Sequence, residues 1–165
     1  MRLPDLWRVL LATSSTGLSI HAATAGPLAV PTISGVEAHL FENKTAAWSG
    51  NLFDPKAGEL WNTVAGPKAS NAVLIVVQVT GAPDGAYTGV LGAGTKYAVR
   101  LSAREAGRHA FDQSQTIPVL DDKGKAYLVF LIYQNGCQPL QLTTKVVGRG
   151  AGKPLKKSLD FACGE

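Results

Sequence analysis

Cysteine and histidine are scarce in this chain, and each shortage excludes chemistry. Cys137 and Cys163 are the only cysteines among the 165 residues, and there are three histidines. A zinc centre wants four ligands at recognisable spacing, which two cysteines so far apart do not provide. Beyond the N-terminal segment only His39 and His109 remain, with no H-E-x-x-H pair and no G-x-S-x-G elbow to mark a hydrolase. His39 is expected on the outer face of a strand, and His109 in the polar loop "REAGRHAFDQ".

Long apolar runs are missing from the N-terminus as well. The stretch from Val9 to Ile20 covers 12 residues and is diluted by Thr, Ser and Gly, well short of the ~20 needed to cross a bilayer. It follows "MRLPDLWR", with Arg2 and Arg8, and precedes Ala23-Thr24-Ala25. That order reads as a secretory signal over residues 1–25, cleaved after Ala25. No cysteine follows for lipid attachment, no twin arginine occurs, and the C-terminus carries no apolar tail. Residues 26–165 are therefore expected in the periplasm or outside the cell, with no transmembrane anchor. A chain of that length buries roughly 68% of its unfolded surface, enough for one self-sufficient domain.

Charge of one sign is not in large excess. Removing Arg2, Arg8 and Asp5 from 16 basic and 12 acidic residues leaves 14 against 11. A balance of +3 gives weak attraction to anionic surfaces. The basic stripe interleaved with aromatics that nucleic-acid modules show is missing, so no nucleic acid is expected.

Helical periodicity is also missing, and what is present is alternation. In "VEAHLFEN", Val36, Ala38 and Leu40 share one face against Glu37 and His39. "KYAVRLSA" sets Tyr97, Val99 and Leu101 inward and Arg100 and Ser102 outward. "LQLTTKVV" sets Leu140, Leu142, Thr144 and Val146 against Gln141, Thr143, Lys145 and Val147. Two runs, "AVLIVVQVT" and "AYLVFLIY", are almost continuously apolar, the mark of strands covered on both faces. They are expected as the central strands of two facing sheets. Pro118 marks "QTIPVL" as an edge strand, and "SLDFAC" closes the chain. Gly, Pro, Asn and Asp turns separate these runs. The fold class that follows is all-β: a single antiparallel β-sandwich of seven to eight strands over residues 26–165. Its general architecture is expected to be immunoglobulin-like or C2-like, with a small closed β-barrel as the alternative.

An exported chain with an even cysteine count is read first as disulfide-bonded. A hairpin loop centred on residue 150 would set Cys137 opposite Cys163, closing a loop worth roughly 3–4 kcal/mol in the chain-entropy model. That register leaves the strand faces one step out of phase, so a bulge near Pro139 or Pro154 is expected with it. No Trp lies between the two cysteines, unlike the inter-sheet disulfide of antibody domains.

Other motifs yield little chemistry. "GVLGAGTKY" has its Thr before its Lys and leads into a strand, the wrong order and context for a phosphate loop. Asp121 and Asp122 beside Gly124 read as turn formers. Asp54, Asp84 and Asp112 would hold calcium only if they converged. No metal or cofactor is expected.

Two groups remain as recognition elements. Trp48, Phe53 and Trp61 would make an aromatic patch, and Arg149, Lys153, Lys156 and Lys157 an anion-contacting loop. The function expected is a non-catalytic exported protein that binds a protein, glycan or envelope surface. One alternative is a hydrolase or metal-dependent enzyme built from His39, His109, Asp54, Asp112 or a Ser. Another is a secreted enzyme inhibitor with a protruding loop over residues 148–157.

Overall fold

The computed structural model describes residues 30–57, 60–61, 70, 72–81, 97–117, 120–133 and 138–162. The signal segment expected over residues 1–25 lies outside them. Among the described residues ten strands occur in chain order: β1 (Thr32–Glu42), β2 (Ala47–Trp48), β3 (Leu60–Trp61), β4 (Ala72–Thr80) and β5 (Ala98–Glu105), then β6 (Arg108–Thr116), β7 (Lys125–Tyr133), β8 (Leu140–Val147), β9 (Leu155–Leu159) and β10 (Phe161–Ala162). They form one antiparallel sheet in the order β2-β1-β4-β7 and a second in the order β6-β5-β8-β9, with β10 and β3 as a short parallel pair.

The two four-stranded sheets pack face to face as a β-sandwich. Val36, Ala38 and Leu40 of β1 and Val73, Ile75, Val77 and Val79 of β4 bury one inner face. Val99, Leu101 and Ala103 of β5 with Leu140 and Leu142 of β8 bury the other. Alternation in the sequence therefore became alternation in burial, as a period-two pleat requires. The order is immunoglobulin-like, with one departure from the constant-domain arrangement. The fourth long strand, β6, pairs with β5 instead of joining the β7 sheet.

Four expectations are corrected. First, β4 and β7 are not the centres of facing sheets. They are neighbours in one sheet, paired from Ala72↔Tyr133 to Thr80↔Lys125, and β7 is its edge. Second, the segment expected as the loop "REAGRHAFDQ" is a hairpin. Ala106 and Gly107 both have positive φ, at 45° and 78°, as a two-residue type I′ turn requires. The chain returns as β6, placing His109 on a strand.

Third, β8 and β9 pair as Leu140↔Leu159, Gln141↔Ser158 and Leu142↔Lys157, without a register shift. This register lies half a residue from a loop centred on 150 and puts buried Leu140 against buried Leu159. No bulge is needed, because a one-residue slip would have turned every side chain to the wrong face.

Fourth, the disulfide expected between Cys137 and Cys163 is withdrawn. No disulfide bond is present among the described residues, and both cysteines lie outside them. The return strand also departs from the course expected of it. The last strand does not run on along β8 but leaves it at Asp160, and Phe161 and Ala162 pair in parallel with Leu60 and Trp61.

Candidate functional site

The residues expected to carry chemistry are dispersed. His39 lies on the outer face of β1, its Nδ1 2.9 Å from the Ser49 carbonyl and its Nε2 3.4 Å from a Glu37 carboxylate oxygen. His109 and Asp112 lie on β6 in the other sheet. Asp54 Oδ1 accepts the Lys56 amide at 2.9 Å. Asp121 Oδ1 accepts the amides of Lys123 at 3.0 Å and Lys125 at 2.7 Å. Both acids therefore stabilise turns, the role expected of Asp121. Asp84 lies outside the described residues. Among the described residues no group of three or more His, Cys, Asp or Glu is placed to hold a metal.

A cleft of about 210 Å³ lies between the start of β1 and the β8–β9 turn, lined by Pro31, Thr32, Ile33, Val146, Gly152, Lys153, Pro154 and Leu155. Among the described residues its only ionisable side chain is Lys153, and these hold no acid–base pair of the kind hydrolysis needs. The turn beside it folds inward. Tyr97 Oη donates to the Arg149 carbonyl at 3.0 Å, and Ala151 packs against the core.

Within the expected aromatic patch, Trp48 and Phe53 have different neighbours. Trp48 stacks edge-on against Phe41, with ring centroids 5.1 Å apart. Phe53 packs against the core and takes Lys157 Nζ over its ring at 5.1 Å, a cation–π contact. The Trp61 side chain lies outside the described residues. The expected anion loop is divided too. Arg149 and Lys153 are exposed in the turn, Lys156 projects from the outer face of β9, and Lys157 turns to Phe53.

The structure instead sorts its surface by sheet. On the outer face of the β2-β1-β4-β7 sheet, Tyr127, Val129 and Tyr133 are 58%, 47% and 66% exposed. Cross-strand pairs extend this strip inward, with Val129 opposite Val76 and Leu131 opposite Leu74. Trp48, 44% exposed, lies beyond it on the paired β1–β2 edge. Glu37 and His39 stand opposite Val76 and Leu74 as the polar border.

The outer face of the β6-β5-β8-β9 sheet is polar and basic. Arg100 pairs across the ladder with Lys145, Ser102 with Thr143 and Arg104 with Gln141. Thr143 in turn faces Lys156. Arg100 binds both carboxylate oxygens of Asp112, with Nε to Oδ1 at 2.7 Å. That hydrogen bond, aided by the nearby charges of Arg100, His109 and Lys145, holds the Asp112 carboxyl below its ordinary range.

Sequence reasoning missed both faces as units. Alternation assigns their residues strand by strand, and only the ladder register reveals which positions share a surface. The fold and this surface define a β-sandwich domain with no catalytic grouping among its described residues. No protein-family model matches the chain, and no curated protein sequence is significantly similar to it. No helix of the described residues is long and apolar enough to cross a membrane.

Proposed function

We propose that this is a non-catalytic binding domain, acting in the periplasm or outside the cell, that docks a protein partner on the outer face of the β2-β1-β4-β7 sheet. The observation that carries the reading is the exposure of Tyr127, Val129 and Tyr133 on β7. The sequence has the apolar density of a strand covered twice, yet only one face of β7 is covered within the sandwich. With 150–250 Å² per aromatic side chain, the exposed parts of Trp48, Tyr127, Tyr133 and Val129 amount to about 400 Å², the size at which patches mark interaction sites. That area suits a small, transient contact rather than an obligate one. The signal-like segment over residues 1–25 supports the location, and the separation of His39 from His109 and Asp112 supports the absence of catalysis.

Photocrosslinking in the producing cell tests the reading. A photoreactive residue replacing Tyr133 is expected to give one discrete protein adduct, lost on adding Val129→Lys. The same residue replacing Arg104 is expected to give none of that adduct. No adduct from position 133, or an equal yield of the same adduct from both positions, contradicts the proposal.

A further inference from the structure

The opposite face of the sandwich carries a feature that the apolar strip does not explain. Arg100 and Lys145 are directly paired across β5 and β8, and like charges opposite one another on a sheet destabilise it. Asp112 is ion-paired with Arg100, and its carboxylate feels the nearby Lys145 charge without pairing with it. Among the described residues no carboxylate lies within ion-pair distance of Arg104, Lys145 or Lys156. All three are exposed.

The ladder fixes their spacing. Arg100 and Lys145 stand about 5 Å apart at Cβ. Thr143 faces Lys156, which sets Lys145 and Lys156 on a diagonal of about 8 Å. Arg104 lies four residues along β5 from Arg100, about 13 Å away. The outward positions between these cations hold Ser102, Gln141, Thr143 and Ser158, and no outward position of β5, β8 or β9 is aromatic. A flat array of cations interleaved with hydroxyl and amide groups matches a polymer with repeating acid groups and abundant hydroxyls. It lacks the aromatic platforms on which single-stranded nucleic acids stack.

We infer that the outer face of the β6-β5-β8-β9 sheet is a binding site for an acidic polysaccharide, with Arg104, Lys145 and Lys156 contacting its carboxylate or sulfate groups and Arg100 held in reserve by Asp112. The Arg100–Lys145 repulsion is relieved when the polymer supplies its negative charge. This site is on the other side of the sandwich from the proposed protein-docking strip, so either can fail alone.

Retention of the full protein on immobilised heparin, polygalacturonate and neutral dextran tests the inference. Binding to at least one acidic polymer is expected, none to dextran, and release is expected at high salt, where the Debye length falls from about 8 Å at 0.15 M to about 3 Å at 1 M. The preferred column identifies sulfate or carboxylate as the acid group recognised. Lys145→Gln and Lys156→Gln should each weaken retention several-fold. Lys145→Gln should also leave the melting temperature unchanged or raised, which separates lost binding from lost folding. Asp112→Asn should tighten retention by freeing Arg100. The inference is overturned by failure to bind either acidic polymer at low salt, by undiminished retention of the two lysine variants, or by tighter binding to a single-stranded oligonucleotide or to phosphatidylglycerol vesicles.

Discussion

Gln115 Nε2 donates a 2.6 Å hydrogen bond to the main-chain carbonyl of Val129, joining the edge strand of one sheet to the edge strand of the other. The contact bridges one side of the sandwich and occupies an acceptor on β7. That edge needs protection, because no charged residue lies between Ala126 and Tyr133 and bare apolar edges recruit further strands. Gln115→Ala is expected to lower stability by about 0.5–1.5 kcal/mol and to increase self-association at high concentration. Urea denaturation and sedimentation velocity measure the two effects.

Behind that contact, Phe130 and Phe111 meet edge to face with centroids 6.3 Å apart. Phe130 is 1% exposed, so truncation leaves a cavity between the sheets. Phe130→Ala is expected to cost about 3–5 kcal/mol. Phe111→Ala should cost less, because Phe111 is only half-buried on an edge strand. Equal midpoints for the two variants in chemical denaturation would contradict this ranking.

Gly148 is required by a close approach. Its φ is +153°, and a Cβ there would stand 2.3 Å from the Tyr97 ring. Tyr97 cannot withdraw freely, since its hydroxyl is bound to the Arg149 carbonyl. Gly148→Ala is expected to destabilise by about 1–3 kcal/mol. Pairing it with Tyr97→Ala should give a smaller loss than the two changes summed, measurable as a double-mutant cycle.

How far the fold was legible depended on the pattern of each strand. β1, β5 and β8 alternate cleanly, so their inner faces could be assigned residue by residue. β7 could not, because "AYLVFLIY" is apolar on both faces and conceals that one of them is left open. β6 was missed for the opposite reason. Its inward residues, Phe111, Gln113 and Gln115, sit at a sheet margin where polar side chains reach solvent or the other edge. Its turn, Ala106-Gly107, also lacks the Asn-Gly signature of a two-residue hairpin. The β8–β9 register was hidden by Lys157, which occupies an inward position opposite Leu142 and extends its ammonium to Phe53. The basic face was half visible, since Arg100 and Lys145 were read as outward, but their adjacency belongs to the register alone.

Acid should weaken the Arg100–Asp112 contact in a defined direction. The Arg100 hydrogen bond lowers the folded Asp112 pKa, so the carboxylate survives to lower pH in the folded than in the unfolded chain. Its stabilisation is present above the ordinary aspartate range and disappears as the pH falls through the lowered folded value. The pair is exposed, and the effect is therefore small and screened by salt. Asp112→Asn is expected to lower neutral-pH stability slightly at low ionic strength and to lessen the loss of stability below about pH 4 by the same small amount. Thermal melts across that range check it.

The central claim is that the two outer faces have separate binding roles. The most direct measurement compares Val129→Lys and Lys145→Glu side by side, scoring the crosslinked adduct from position 133 and retention on acidic polysaccharide. The account predicts that Val129→Lys abolishes the adduct and keeps the retention, and that Lys145→Glu does the reverse. Loss of both properties in either correctly folded variant, or of neither in both, would contradict it.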